Sequence, residues 1–201
     1  MVKIDYKKEL KNLYNSPKQK NIMVEVPEMN YVMIDGAGNP NTSPDYKDAV
    51  EALFSVSYAV KFLSKNRGTD YMVLPLEGLW YADDMNTFDP DDKNSWKWTM
   101  MIMQPNHITN GMVETAMEVA QKKKNPRALS KIRFESYVEG LSAQILYIGP
   151  YANEHPTIMK LHDFIRENGY SRKGHHHEIY LSDPRKTHPE KLKTILRQSV
   201  Q

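Results

Sequence analysis

Cysteine is absent from the 201 residues of this sequence. The chain can therefore form no disulfide, hold no metal through thiolates and use no cysteine nucleophile. This absence is typical of a reducing compartment, and we expect a cytoplasmic protein. Purely apolar runs are also short, as over 100–103, whereas a membrane span needs about 18 residues. The lysine-rich segment 1–8 has no apolar run behind its charges, so we expect neither a signal peptide nor a membrane partner.

A large excess of one charge is also missing. Lys and Arg number 27 and Asp and Glu number 25, which gives a formal net charge of +2. A dedicated nucleic-acid binder would show a clustered basic surplus, so we expect no nucleic-acid partner. What the chain has in quantity is Tyr (12), Met (12) and Trp (3). Such residues can form an adaptable ligand surface or an ordinary core, and composition favours the core.

Periodic patterns predict an α+β fold. Apolar residues at helical spacing predict helices over 3–14, 44–65, 109–124 and 154–168. Strand patterns cover 22–34 with a break at Pro27, 71–81, 96–104, 132–138, 142–148, 176–181 and 192–200. We expect an N-terminal helix and linker over 1–21, followed by one domain over 22–201.

The order strand, helix, strand, strand occurs twice, over about 22–104 and 132–200. Sequence identity between the two halves is negligible, so the repeat lies in the order of elements alone. This order predicts two pseudo-symmetric β-α-β-β units with antiparallel sheets. We expect the sheets to form a central ligand groove, with the long helices on the outer face.

Each half has a glutamate in a predicted strand, and the strand around Glu77 is otherwise apolar. Glu77 shares a predicted strand face with Tyr71, and Glu178 stands at the matching place in the second half. Burying a carboxylate among apolar side chains is costly without a partner or a purpose. We therefore expect both glutamates to face one central cavity. The alternative is that each pairs with a Lys or Arg at the rim of its sheet.

Aromatic residues lie on the strands that flank these glutamates. Trp80 and Trp98 belong to the first half, and Tyr137 and Tyr147 to the middle strands. They are candidates for a cage around a flat or cationic ligand, although such stripes more often belong to a core.

Other kinds of site find little support. The histidines of 175–177 alternate in direction on a strand, and zinc needs three or four converging ligands, so we predict no metal site. His176 shares a face with Glu178 and is the one expected near a ligand. The acidic segment 82–95 lacks the central Gly and closing Glu of a calcium loop, and we interpret it as a hairpin loop. No phosphate or dinucleotide motif is present, and we expect no cofactor.

Four segments give the sequence a specific resemblance. They are PEMNY (27–31), IDGAGNPN (34–41), LEGLW (76–80) and GHHHEIYLSDPR (174–185). In these segments the chain resembles the GyrI-like small-molecule-binding family, most closely its stand-alone bacterial branch, over about residues 3–200. The resemblance implies a pair of β-α-β-β units around a central groove.

The resemblance also implies a function. Effector domains of multidrug-sensing transcription activators in this family hold lipophilic cations with a carboxylate inside an aromatic pocket. One stand-alone subgroup hydrolyses cyclopropane-bearing, DNA-alkylating natural products and so detoxifies them. The pocket glutamate of the family falls on Glu178. The cage positions fall on aromatic residues of the strands, namely Tyr71, Trp80, Trp98, Tyr137 and Tyr147.

Two functions stay open on the sequence alone. A hydrolase would use Glu178 to deprotonate an attacking water, and a Tyr hydroxyl or a protonated Glu77 to stabilise the developing phenolate. A raised pKa of Glu178 would suit this role. A sequestering protein would bind aromatic xenobiotics with the same residues and leave them unchanged. We expect no transcription regulator, because only about 20 residues precede the first core strand, and we expect a monomer or weak dimer.

Overall fold

A computed structural model of the chain describes residues 3–18, 20–82 and 92–201. Most of the predicted acidic hairpin loop (82–95) therefore lies outside the described residues. The elements in chain order are β1 (Lys3–Ile4), α1 (Tyr6–Glu9), α2 (Lys11–Tyr14), β2 (Ile22–Val26), β3 (Met29–Ala37), α3 (Pro44–Asn66), β4 (Asp70–Tyr71), β5 (Leu76–Tyr81), β6 (Lys97–Gln104), α4 (Asn110–Lys123), β7 (Arg133–Tyr137), β8 (Gly140–Ile148), α5 (His155–Glu167), β9 (Arg172–Tyr180) and β10 (Lys193–Val200).

The chain divides into two compact units, the first formed by residues 1–6 and 29–137 and the second by 7–28 and 138–201. The main sheet of the first unit has the order β5-β6-β3-β7, and that of the second β2-β8-β10-β9, with antiparallel neighbours. The elements β3-α3-β5-β6 and β8-α5-β9-β10 repeat the predicted β-α-β-β order. The predicted α+β class is confirmed.

Helix α3 begins where its sequence predicts. The Ser43 hydroxyl oxygen accepts a hydrogen bond from the Tyr46 backbone N–H at 3.4 Å, and Pro44 occupies the first turn. The sheet-facing side of α3 buries Ala49, Ala52, Leu53, Val56 and Val60. The spacing of these residues at i, i+3, i+4 and i+7 gives the helix one continuous apolar stripe.

The strand register fixes which side chains share each face of the first sheet. Trp98 lies directly opposite both Gly36 and Trp80 on the neighbouring strands. The ring of Tyr46, on α3, contacts both tryptophans, so this row lies on the α3 face. Because side chains alternate along a strand, Glu77 lies on the opposite face.

The second sheet carries α5 on one face. Leu161 and Ile165 of α5 pack in one core cluster with Ile145 and Leu196 of the strands. Glu178 lies directly opposite Leu196 in the strand register, and directly opposed residues share a face. Glu178 and the residues two positions away on β9 therefore lie on the α5 face.

Three elements differ from the sequence-based expectation. The predicted helix over 3–14 is wrong at its start, because β1 pairs in parallel with β4 and short helices have little stability of their own. The predicted strand 71–81 is interrupted before β5, since Pro75 has no N–H to give to a ladder. Segment 22–34 divides at Pro27, and β2 belongs to the second unit while β3 belongs to the first.

Within the described ranges, every helix is too short or too polar to cross a membrane.

Candidate functional site

The two predicted glutamates hold different positions in their own units. Glu77 is completely buried and lies on the face of its sheet away from α3, whereas Glu178 lies on the α5 face of the other sheet. The prediction of matching positions is therefore wrong. A shift of one residue along a strand reverses the face, and the order of elements does not fix that shift.

Glu178 is held by neighbours on two sides. The Tyr180 hydroxyl donates a hydrogen bond to Glu178 Oε2 at 2.7 Å, and His176 Nε2 lies 3.3 Å from Glu178 Oε1. The side chain of Glu154 also acts to lower the pKa of the Glu178 carboxyl. The Glu178 side chain is only 9% exposed, so these contacts replace most of its hydration.

The charge of Glu178 follows from this environment. Burial acts to raise its pKa, but the contacts with His176, Tyr180 and Glu154 outweigh burial, and the pKa is lowered. The expectation of a raised pKa is therefore wrong. Glu178 is an ionised, tightly oriented carboxylate at neutral pH.

Tyrosines lie on the same face of the sheet as this carboxylate. Tyr147, Thr194 and Tyr180 form one cross-strand row on the α5 face. The ring of Tyr151 meets that of Tyr180 edge-on, with 5.7 Å between ring centroids. Burial and then the charge of Glu178 raise the pKa of Tyr151 to about 12. Its hydroxyl is therefore protonated at neutral pH and can donate a hydrogen bond.

The sequence analysis identified some of these residues and missed others. Glu178, His176 and Tyr147 were candidates and share the α5 face. Tyr180 follows Glu178 by two residues, so strand alternation alone could have added it. Tyr151 and Glu154 lie in a 3₁₀ turn and at the start of α5, and no local pattern points to them.

A second aromatic group lies on the α3 face of the first unit. Tyr46 stacks on Trp80 at 6.1 Å between centroids and meets Trp98 edge-on at 5.4 Å. Trp96 meets Trp80 edge-on, also at 5.4 Å. The predicted pairing of Trp80 and Trp98 in one cluster agrees with this arrangement, while Tyr46 was missed because it comes from the helix.

The remaining two candidate tyrosines lie elsewhere in the first unit. Tyr71 is fully buried, and its hydroxyl donates to Gln104 Oε1 at 3.2 Å; these are the contacts of a core residue. Tyr137 lies on β7, edge-on to Tyr31 at 6.4 Å. Since β7 is three strands from β5 in the sheet, about 14 Å separate the two strands, and Tyr137 lies far from Glu77.

A buried charged cluster on the other face of the second sheet was not predicted. Glu139 Oε1 lies 3.0 Å from His177 Nδ1, and Arg197 Nη1 donates to Glu139 Oε2 at 3.1 Å. Arg197 also donates to Gln144 Oε1 at 2.9 Å and to the Leu13 carbonyl at 2.8 Å. This cluster ties the N-terminal segment to the sheet.

The ionisation of Glu139 follows from the same contacts. Burial would raise its pKa, but the charges and hydrogen bonds of His177 and Arg197 lower it to about 2. The group is thus a buried ion pair, and its Arg is 1% exposed. Its burial and full set of partners indicate a structural role.

Across residues 3–18, 20–82 and 92–201, no group of three or more His, Cys, Asp or Glu side chains is arranged to hold a metal ion.

Comparison with known proteins assigns the family. The model of the GyrI-like small molecule binding domain matches residues 21–197. An uncharacterized conserved protein from Listeria innocua is 40% identical, over 99% of this chain and 100% of its own, with a TM-score of 0.92. A hydrolase encoded by lin2189 from Listeria innocua is 39% identical over 100% of both chains, with a TM-score of 0.89. Among curated proteins, none matches. The chain belongs to the GyrI-like small-molecule-binding family.

Proposed function

We propose that this chain is a hydrolase that binds flat aromatic molecules and adds water to a cyclopropane ring fused to a dienone, which disarms DNA-alkylating xenobiotics. The observation that carries the proposal is Glu178, a buried and ionised carboxylate beside tyrosine hydroxyls. Whole-chain similarity to a Listeria hydrolase supports an enzyme rather than a passive binder.

The proposed reaction requires one general base and one hydrogen-bond donor. The water oxygen bonds to the less hindered ring carbon while the strained carbon–carbon bond breaks. That electron pair moves through the dienone to its oxygen, and the ring becomes a phenolate. The attacking water turns into an acidic oxonium as its new bond forms, so even a carboxylate with a lowered pKa takes its proton. The proton taken by Glu178 then passes through solvent to the phenolate oxygen, which completes the phenol and restores the carboxylate, and the sum is substrate plus one water.

Glu178 is the proposed catalytic base in this scheme. Because its contacts fix its position, it orients the water as well as accepting its proton. Tyr151, whose hydroxyl stays protonated at neutral pH, is the proposed donor to the developing phenolate. Glu77 has no role in this scheme, since its side chain lies away from the aromatic face of its sheet.

The rings of Tyr151 and Tyr180, which meet edge-on in the same unit as Glu178, are proposed to bind the flat ring. Tyr46 contacts both Trp80 and Trp98 on the α3 face of the first unit, and the family-based assignment of the two tryptophans to a ligand cage stays a prediction. The tryptophans are 4% and 1% exposed, while Tyr46 is partly exposed. Tyr46 is therefore the most accessible ring of this group, and the tryptophans hold it in place.

The lowered pKa of Glu178 also favours a second function. A carboxylate that stays anionic among tyrosines suits a lipophilic cation, and the protein would then sequester such compounds without chemistry. If the protein sequesters cations, removing the charge of Glu178 would lower its affinity for the cation. If it is a hydrolase, the same change would lower the rate of turnover.

The test is turnover of a cyclopropane-dienone alkylating agent by Glu178→Gln, followed by mass spectrometry. The unchanged protein should form a product one water heavier over many turnovers. The variant should bind the compound but lose rate by about 10²–10⁴-fold. Glu25→Gln, which alters an exposed glutamate on β2 of the same unit, is the matched control. Full activity in Glu178→Gln, or intact compound that co-purifies with the unchanged protein, would refute the mechanism.

A further inference from the structure

Helix α3 carries apolar side chains on two sides. One side packs on its sheet, while the side away from the sheet presents three aromatic residues at a spacing of four, namely Phe54, Tyr58 and Phe62. Tyr58 is 51% exposed and Phe62 is 54% exposed, and Phe54 is partly exposed. A single exposed ring is ordinary, but a row of large apolar side chains marks an interaction surface. We call this row the aromatic stripe.

We propose that the aromatic stripe docks a second copy of this chain, with the two α3 helices antiparallel and Tyr58 at the two-fold axis. A two-fold interface joins the same surface of both copies, so that surface must be complementary to itself. Phe54 and Phe62 lie four residues before and after Tyr58. Antiparallel pairing about Tyr58 therefore places Phe54 of each copy opposite Phe62 of the other.

The charges beside the aromatic stripe have the same symmetry. Glu51 and Lys65 lie seven residues before and after Tyr58, which is close to two helical turns, so both lie on the side of the stripe. Both are exposed. In the antiparallel pair, Glu51 of each copy meets Lys65 of the other. A parallel pair would instead bring Glu51 to Glu51 and Lys65 to Lys65, and like charges oppose that arrangement. This charge complementarity favours a second copy as the occupant.

The rings of the stripe are held in place before any partner binds. The rings of Phe54 and Tyr58 lie 6.4 Å apart between centroids. Lys61 Nζ lies 4.6 Å from the centroid of the Phe62 ring and 3.1 Å from Asp70 Oδ1. Side chains that are already ordered lose little entropy on binding. Since one helix against one helix is a small interface, we expect a dimer whose population depends on protein concentration.

The first test is sedimentation velocity of the whole chain over a series of protein concentrations. The unchanged protein should shift towards twice the mass of one chain as concentration rises. Glu51→Lys and Lys65→Glu should each weaken dimerisation by at least about tenfold, because each places like charges at both ends of the stripe. The double variant should restore it, and Glu25→Lys, an exposed position on β2, should leave it unchanged. A monomer at every concentration, or a double variant as weak as the single ones, would overturn the proposal.

The second test uses the absence of cysteine from this chain. Tyr58→Cys introduces one thiol per copy at the proposed axis. Helix axes about 10 Å apart place the two facing Cα atoms about 5 Å apart, which a disulfide can span. Mild oxidation should therefore link two copies of this variant. Val138→Cys is the control, because Val138 is 64% exposed and lies between β7 and β8.

The cross-link separates this interface from any other. Dimers that form without a Tyr58→Cys cross-link would mean that the copies meet on another face, and equal cross-linking of both variants would mean random collision. Either result would overturn the proposal. Neither test involves turnover, so the outcome is independent of the proposed hydrolase.

Discussion

Glu139 offers the clearest test of the electrostatics of the fold. We predict that Glu139→Gln destabilises the protein by about 3–5 kcal/mol at pH 7, the cost of removing one partner from a buried ion pair. The variant removes the carboxylate partner of Arg197, whose side chain is 1% exposed, and keeps the uncharged acceptors of Gln144 and Leu13. An amide oxygen at position 139 can still accept one hydrogen bond, so we expect the lower end of that range.

The pH dependence of unfolding gives a second value for the contribution of Glu139 to the free energy of unfolding. The pKa of Glu139 falls from an ordinary value of 4.5 to about 2 on folding, and this shift corresponds to roughly 3 kcal/mol. A group whose pKa is lower in the folded state stabilises the fold above its unfolded pKa. This stabilisation is therefore complete above about pH 5 and is lost as the pH falls from there towards 2. The variant should lack this part of the acid sensitivity.

The assay is urea unfolding at pH 7 and at pH 3, monitored by far-UV circular dichroism. Asp183→Asn is the matched control, because hydrogen bonds from Arg185 also lower the pKa of Asp183 to about 2. That pair is exposed, with the Arg185 side chain 82% accessible, so its loss should cost less than about 1 kcal/mol. Equal losses in the two variants at pH 7, or a loss below about 1 kcal/mol in Glu139→Gln, would refute the reasoning.

Two further substitutions test the packing and the site. Gly36→Ala places a Cβ against the ring of Trp98, and we expect a loss of about 1–3 kcal/mol in urea unfolding. Gly111→Ala, in open space on α4, should be neutral or stabilising; a similar loss there would contradict the packing argument. Tyr180→Phe removes the 2.7 Å hydrogen bond to Glu178, so turnover should fall about tenfold while the fold is kept. An unchanged rate would show that this bond does not position the base.

The parts of the fold that depend on local patterns were predictable. The Ser43 cap, Pro44 and the apolar spacing after them predict α3 over 44–65, and the helix spans Pro44–Asn66. The repeated β-α-β-β order was readable for the same reason, since each helix and strand carries its own period.

The parts of the fold that depend on pairing between distant segments of the chain were not predictable. The segment 22–26 reads as an ordinary strand, and nothing in it specifies β8 as its neighbour. Glu77 and Glu178 were assigned matching positions because the order of elements does not fix strand register. Glu139 lies 38 residues from His177 and 58 from Arg197 in the sequence, so only the folded chain brings the cluster together.

The candidate site also contains both residues that the sequence predicted and residues that it did not. Glu178 was predicted from its place in the repeat and from the motif of residues 174–185, and His176 lies two residues away on the same face. Tyr151 and Glu154 reach the site from the turn and helix that follow β8. Their contribution depends on how α5 packs against the sheet, which the pattern of a surface turn does not reveal.

The most direct test of the central claim is turnover of one cyclopropane-dienone compound in ¹⁸O-labelled water, measured for the unchanged protein and for Glu178→Gln. The account predicts a ring-opened phenol that carries one labelled oxygen, formed over many turnovers by the unchanged protein and reduced by at least about 10²-fold in the variant. Recovery of unmodified compound from the unchanged protein, or equal labelling by both proteins, would contradict a hydrolase centred on Glu178.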